Sequence, residues 1–235
     1  MATAARAAKT TATGMAKVGR PRANPKPSDL APYEEILDAA ARLFSTLGYT
    51  TTTTREIADA VGLRQGSLFH YFTRKEDILA ELLDRTVEPA TTFLVRLAGT
   101  DQPAAVKLFT LARRDVANLC SGPYNLAKLQ LLPEARNERF EAFWAKRTRL
   151  RNGYRDLVRA AVADGDLHDD DVELATDVLF GLVESVITWY ERGAGRPAAD
   201  VATTVAAAGL RALGAGTRRL ATVAAQSERL FASLS

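Results

Sequence analysis

The chain has 235 residues, of which 47% are hydrophobic and 25% are charged, and its formal net charge is +3. This composition is typical of a folded globular protein, and it excludes a wholly disordered chain, a collagen-like fibre and a disulfide-rich scaffold. Cys120 is the single cysteine, so no intramolecular disulfide can form. Two histidines and one cysteine, none within a turn of another, cannot supply a zinc shell, and we expect no metal and no other cofactor.

Residues 1–28 form a predicted basic arm. They contain six lysine or arginine side chains, no acidic side chain and no apolar periodicity, so we expect this arm to be disordered. A basic arm on a near-neutral body favours a polyanionic partner, although such tails also serve solubility alone or resemble a transit peptide. The most apolar stretch, Val178 to Tyr190, contains Glu184 and is shorter than the about 20 residues of a spanning helix. We therefore expect no membrane span and a cytoplasmic location.

From residue 33 onward the apolar residues recur at helical spacing, beginning with Ile36, Ala40 and Leu43. Thr53 and Glu56 have the spacing of a capping box, which predicts that the second helix begins there. The predicted helices cover residues 33–47, 54–60, 65–72, 74–87, 88–98, 103–120, 124–131, 134–163, 170–192, 198–213 and 217–233. The predicted fold is all-α, with a helix-turn-helix unit over residues 29–86 and a larger helical body over residues 87–235.

Two short helices joined by a turn at Gly62 have the arrangement of a helix-turn-helix. We expect Ile57 and Val61 to pack against Leu43 and Leu47. No acidic residue lies between Asp59 and Glu76, so a phosphate backbone can approach this segment without repulsion. From spacing alone, a three-helix packing unit that binds no ligand remains the alternative.

The same residues resemble the tetracycline-repressor (TetR) family of one-component regulators. The resemblance covers roughly residues 33–83 and rests on Gly48-Tyr49, the run from Thr52 to Ala58, Val61-Gly62-Leu63, the run from Gly66 to Phe72 and the run from Lys75 to Leu79. It implies a homodimer that binds a palindromic operator in double-stranded DNA. It also implies a C-terminal body that binds an unknown small-molecule effector, and a transcriptional regulator that is most often a repressor.

The resemblance also implies which residues contact DNA. Thr53, Thr54 and Lys75 would hold phosphates, whereas Arg55 and Gln65 would reach base edges. Phe69 stands where the family usually has Tyr, and Arg64 stands where it usually has a Ser cap. In the arm, Gly19-Arg20-Pro21-Arg22 resembles the core of an AT-hook, whose arginines enter the minor groove. The expected DNA-binding residues are Thr53, Thr54, Arg55, Arg64, Gln65, Gly66, Ser67, Phe69, His70, Tyr71, Lys75, Arg20 and Arg22.

Two further sets of residues are expected in the body. Effector pockets are apolar with a few polar groups, and the candidate lining residues are Phe109, Arg113, Asn118, Tyr124, Trp144 and Phe180. Apolar stripes on the helices over 170–192 and 198–213 predict a two-fold dimer interface. Its candidate residues are Val178, Leu182, Val186, Trp189, Tyr190, Val201 and Val205.

Two other functions are alternatives to a ligand-responsive regulator. An enzyme is not expected, and no catalytic residue is assigned, because the sequence has no nucleophile elbow, P-loop or Ser-x-x-Lys motif. The run from Gly193 to Ala198 matches a dinucleotide fingerprint, but it follows no predicted strand. A constitutive DNA-binding architectural or interaction protein without an effector stays open. A fully packed body would favour that protein, and an internal cavity would favour a sensor.

Overall fold

The computed structural model describes residues 30–168 and 170–234, which contain helices and turns and no strand. The helices are α1 (Pro32–Thr46), α2 (Thr54–Ala60), α3 (Gln65–Leu68), α4 (Lys75–Ala98), α5 (Ala104–Leu119), α6 (Glu141–Ala163), α7 (Val172–Trp189), α8 (Ala198–Ala212) and α9 (Thr217–Leu234). Within this part of the chain no helix combines the length and apolar character that crossing a membrane requires. The predicted basic arm, with Arg20 and Arg22, lies outside the described residues.

Helices α1 to α3 and the first turns of α4 form a small N-terminal unit with its own core. Ile36, Ile57, Leu68 and Ile78 are each fully buried in it. The Arg85 guanidinium of α4 donates to both carboxylate oxygens of Glu34 on α1, at 2.6 and 2.8 Å. This pair joins the two longest helices of the unit across its surface. The expected packing of Leu47 in this core is wrong, because Leu47 is 53% exposed beyond the end of α1.

Helix α4 is continuous from Lys75 to Ala98, so the predicted break after residue 87 is wrong. Pro89 lies inside the helix and removes one backbone donor, which normally weakens a helix interior. The helix continues because Val87, Ala90 and Phe93 on either side of it are buried against the body. The predicted boundary at residue 86 therefore falls within a helix that the N-terminal unit and the body share.

The body is arranged around α5, which packs against α4, α6, α7, α8 and α9. Val106, Leu108 and Leu111 of α5 are fully buried. In the same core the Thr110 hydroxyl donates a hydrogen bond to the Ser227 hydroxyl of α9 at 2.9 Å. Helices α7 and α8 approach closely at Gly209, where an added Cβ would lie 2.3 Å from Leu179 Cδ1. A larger residue at Gly209 would require the Leu179 side chain to move.

Residues 126–140, here called the connecting segment, form three short 3₁₀ turns between α5 and α6. The predicted helix over 124–131 is therefore a 3₁₀ turn, and the predicted helix over 134–163 is confirmed only from Glu141 onward. Pro133 has no backbone donor, and Asn137 has extended backbone and accepts from Arg139 N at 3.0 Å, so neither position continues a helix. The predicted third helix over 65–72 also ends early, at Leu68, and is followed by a turn.

Candidate nucleic-acid interface

The start of α2 is fixed by the predicted capping box, which the structure confirms. The Thr53 hydroxyl accepts from the Glu56 backbone N–H at 3.2 Å, and the Glu56 carboxylate accepts from the Thr53 backbone N–H at 2.7 Å. The second of these bonds holds the pKa of Glu56 below its usual range. The Thr54 hydroxyl accepts from the Gln65 amide at 3.0 Å, which links α2 to α3. Both threonine hydroxyls, expected on phosphate, thus have partners in the free protein.

The turn between α2 and α3 presents one outward face. Gly62 has φ of +68°, in the left-handed region that favours glycine. Leu68 and Phe72 point inward from α3 and its following turn, and both are buried. An added Cβ on Gly66 would meet nothing within 4 Å, so the backbone is open to close approach. The expected contact residues on the outward face are Arg64, Gln65, Gly66, Phe69, His70 and Tyr71, all exposed, together with half-buried Ser67.

Arg55 lies on the outer surface of α2, with 81% of its side chain exposed. Its one ionic partner in the described residues is Asp59, one turn later, at 3.9 Å. An exposed pair of this kind contributes little free energy, so the guanidinium can exchange Asp59 for a base edge at small cost. This geometry is compatible with the base contact predicted for Arg55, which stays a prediction.

Lys75, the first residue of α4, is directed into the protein and not outward. Its ammonium donates to the backbone carbonyls of Tyr49 and Thr52, both at 2.8 Å, and lies 3.5 Å from the Thr50 carbonyl. It also lies 4.3 Å from the centre of the Tyr49 ring. Lys75 therefore holds the loop that leads into α2. Its contact with phosphate stays a prediction, but the geometry gives it a role in positioning Thr53 and Thr54.

One contact joins the body directly to this loop. The Thr50 hydroxyl donates to the Glu134 carboxylate of the connecting segment at 2.8 Å. Hydrogen bonds from its own backbone N–H and from Thr50 lower the pKa of Glu134. The segment is anchored to α6, because the Trp144 indole donates to the Ala135 carbonyl at 2.7 Å. The DNA-reading unit thus touches the body at α4 and at Glu134.

A narrow cavity of about 20 Å³ lies in the body between α4, α5, α6, α7 and the connecting segment. The Asp115 carboxylate and the Gln130 amide line it, and both side chains are more than nine-tenths buried. The Tyr154 hydroxyl donates to Asp115 at 3.0 Å. Burial raises the pKa of Asp115 to about 7, although the bond from Tyr154 acts in the opposite direction. On the cavity wall, Arg147 donates to Glu184 through Nε at 2.7 Å.

Of the six residues expected in a pocket, Phe180 alone lines this cavity. Phe109 is fully buried core, and Arg113 pairs with Glu228 at 2.8 Å on the α9 side. Trp144 anchors the connecting segment. Asn118 and Tyr124 line a neighbouring pocket of about 120 Å³, which shares Thr86 and Leu119 with the cavity. Phe109, Arg113 and Trp144 line neither of these two pockets, and their contact with an effector stays a prediction.

Comparison with known proteins decides the family. A model of bacterial regulatory proteins of the tetR family matches residues 36–82, and a tetracyclin repressor-like C-terminal domain matches residues 126–213. The HTH-type transcriptional repressor KstR2 of Rhodococcus jostii is 30% identical over 162 residues, which are 68% of this chain and 79% of that protein. The chain belongs to the tetR family of bacterial regulatory proteins. This TetR-family chain is a DNA-binding transcriptional regulator.

Two further relatives agree with this assignment. The crystal structure of AmtR from Mycobacterium smegmatis superposes on the regulator with a TM-score of 0.75 at 41% identity, covering 86% of this chain and 97% of that one. The fatty acid metabolism regulator protein of Bacillus subtilis is 28% identical over 165 residues, which are 67% of this chain and 82% of that protein. The relatives thus match the TetR-family chain over both of its units.

The dimer residues expected in the regulator divide into two groups. Val178 and Trp189 are 43% and 44% exposed on α7, and Leu182 and Val205 are half-buried, so these four are available to a second copy. The expectation for the other three is wrong, because they face the core of their own protomer. These three are Val186, Tyr190 and Val201, which are 1%, 8% and 6% exposed. Leu174, 60% exposed one turn before Val178, extends the outward stripe and was missed.

Three polar residues with notable positions in the TetR-family chain were not among the predicted site residues. Glu134 bonds Thr50, which is distant in sequence, and Gln130 lines the cavity from the connecting segment. Asp115 did have a signal in the sequence, because it lies on the apolar stripe of α5 that includes Leu108, Leu111 and Leu119. A carboxylate in a stripe of core residues marks a buried polar site. Among the described residues, no group of histidine, cysteine and acidic side chains is arranged to hold a metal ion.

Proposed function

We propose that the chain is a ligand-responsive repressor that binds a palindromic operator as a two-fold dimer. The observation that carries this proposal is the outward face of α3 and of the turn after it. This face presents Gln65, His70 and Tyr71, and no acidic residue lies between Asp59 and Glu76. A recognition helix of this kind lies in the major groove, and two of them in a dimer read half-sites about 34–36 Å apart. As a chromosomal regulator the protein acts in the bacterial cytoplasm, and not as an enzyme.

The dimer would use the exposed stripe on α7. Leu174, Val178 and Trp189 project from one side of that helix, and Gly181 between them leaves open space for a partner. Apolar side chains exposed in a row on a soluble regulator mark a protein contact surface. A two-fold axis through this stripe would bring the same residues of both copies together in one interface.

The cavity favours a sensor over a constitutive DNA-binding protein. A body without an effector has no reason to keep Asp115 and Gln130 in its core, because burying polar groups costs free energy. We propose that effector binding in this cavity lowers operator affinity. A ligand produces such a response only if it binds the two states of the protein differently. A coupling of about 1–3 kcal/mol, or about 5–150-fold in affinity, is typical.

Selection of bound fragments from genomic DNA tests the proposal. The wild type is expected to enrich a palindromic site, and Arg55→Ala or Gln65→Ala is expected to cost about 1–3 kcal/mol and relax the preference at one base pair. Arg218→Ala is the control, because Arg218 is exposed on α9 in the body, away from α2 and α3. No enriched site, or wild-type binding by both interface variants, would contradict the proposal.

A further inference from the structure

The cavity in the body has an unusual polar end. Asp115 is 97% buried, since its exposed fraction is 3%, and one of its oxygens accepts from Tyr154 at 3.0 Å. Within the described residues its other oxygen has no hydrogen-bond partner. A buried carboxylate that lacks a partner is costly, and a cation or an N–H donor on a ligand would relieve this cost.

Gln130 provides a second, independent observation. Its side chain is 7% exposed and lines the same cavity, yet within the part of the chain that the structure describes it makes no hydrogen bond. Buried amides are normally bonded through both their oxygen and their nitrogen. Asp115 and Gln130 lie on different elements, α5 and the connecting segment, and both present open hydrogen-bonding atoms to one space. The space therefore has the character of a binding site.

The charged side chains around the cavity indicate which charge a bound ligand should carry. Arg147 is the cation on its wall, and the Glu184 carboxylate engages its guanidinium through Nε at 2.7 Å. The Arg147 guanidinium also lies 5.0 Å from the Phe180 ring centre. Asp115 and Glu184 thus place two carboxyl groups against one guanidinium around the cavity. A bound cation would favour the ionised form of Asp115, whereas a carboxylate from a ligand would oppose it. The remaining walls include the aromatic rings of Phe143 and Phe180.

The size of the cavity limits the group that enters it. A volume of about 20 Å³ holds little more than a water molecule at its polar end. The neighbouring pocket of about 120 Å³ meets it at Thr86 and Leu119 and leaves room for the rest of a larger ligand. A compact head group in the cavity with a longer remainder in the outer pocket fits both volumes.

We propose that the effector carries a primary ammonium group, which binds between Asp115 and Gln130. The proposal rests on the proposed function, since it gives the chemistry of the effector site in the body. The N–H donors of the ammonium group pair with the open Asp115 oxygen and the Gln130 carbonyl oxygen. An ammonium group is about as large as a water molecule, so it fits the volume of the cavity.

Three small probes of different charge test this chemistry: methylammonium, methanol and formate. Their dissociation constants are measured by calorimetry on the full-length protein without DNA, at equal ionic strength. Methylammonium should bind at least about tenfold more tightly than methanol, because charge-assisted hydrogen bonds are stronger than neutral ones. Formate should bind more weakly than either. Equal binding of the three probes, or tighter binding of formate, would overturn the proposal.

A matched pair of variants locates the site. Asp115→Asn retains an acceptor for Tyr154 and should reduce the preference for methylammonium over methanol to less than about threefold. Asp177→Asn removes the same charge from the surface of α7, where Asp177 pairs with Arg151, and should keep the wild-type preference. An unchanged preference in Asp115→Asn would refute the site. If that variant does not fold, the comparison of the three probes on the wild type still decides the chemistry.

Operator binding without any probe separates this inference from the proposed function. A protein that binds its operator but shows no preference for the cationic probe refutes the inference and leaves the proposed function intact. A protein that prefers the cation but enriches no DNA site supports the inference and contradicts the proposed function.

Discussion

Replacing Lys75 by methionine tests whether this residue holds the loop before α2 or binds DNA phosphate. Methionine keeps most of the aliphatic length but removes the ammonium, which donates to the Tyr49 and Thr52 carbonyls at 2.8 Å each. A hydrogen bond from a charged group contributes about 1.5–3 kcal/mol. Because Lys75 is only half-buried, we expect the lower end for each bond, and a loss of about 2–4 kcal/mol in the free energy of unfolding.

Urea unfolding at one fixed protein concentration measures this loss, since the stability of a dimer depends on concentration. Arg74→Met is the matched control. Arg74 is the neighbouring cation, it is exposed, and its backbone N–H rather than its side chain bonds Asp77, at 2.9 Å. We expect Arg74→Met to change the free energy of unfolding by less than about 0.5 kcal/mol, as is usual for surface positions.

The salt dependence of operator binding distinguishes the two roles. A lysine that neutralises a phosphate contributes about 0.9 to the slope of log affinity against log salt. If Lys75 acts by positioning the loop, Lys75→Met weakens binding and leaves this slope unchanged. A variant that unfolds like Arg74→Met and has a slope lower by about 0.9 would refute the loop-holding role.

Three further outcomes follow from the structure. Tyr49→Phe should leave the free energy of unfolding unchanged or raise it by up to about 1 kcal/mol, as measured by urea unfolding. The reason is that the Tyr49 hydroxyl is buried with no hydrogen-bond partner among the described residues. A clear loss of stability would contradict this. Val178→Asp should shift the protein towards monomer in sedimentation, whereas Val95→Asp, on exposed α4 surface, should not. Asp115 has a pKa raised to about 7, so the folded state binds its proton more tightly and the wild type loses stability as pH rises from about 4 to 7. Asp115→Asn should not lose stability over this pH range. Parallel pH profiles of the free energy of unfolding for this variant and the wild type would contradict the prediction.

The sequence predicts best where structure is set by neighbouring residues. The capping box at Thr53 and Glu56 needs only a spacing of three, and the outward face of α3 follows from two short helices around Gly62. The continuity of α4 was not predictable in this way. Pro89 signals a break locally, and the helix passes through it because its flanking apolar residues are buried by the body.

In the candidate site, too, local spacing predicts some features and tertiary packing determines the others. The residues expected to contact DNA could be named because the motif places them at fixed spacing from Thr53 to Lys75, and their contacts stay a prediction. The direction of the Lys75 side chain could not be predicted, because tertiary packing brings the carbonyl groups of Tyr49 and Thr52 to it. For the pocket, aromatic residues were poor guides because most of them fill the core. Polar residues at core positions, such as Asp115, are the better signal.

Two connections lead from the cavity to the loop before α2, and they are separable by mutation. Helix α4 carries Thr86 at the cavity and Lys75 at the loop, about 16 Å apart at 1.5 Å per residue. The connecting segment carries Gln130, which lines the cavity, and Glu134, which accepts a hydrogen bond from Thr50.

We predict that Glu134→Ala weakens operator binding by about 3- to 10-fold relative to Glu138→Ala, because it loses one hydrogen bond to the loop. Glu138 is an exposed acid in the same segment, so both variants remove one negative charge from that segment. Equal operator affinity of the two, measured by fluorescence anisotropy, would leave α4 as the one connection between effector site and DNA.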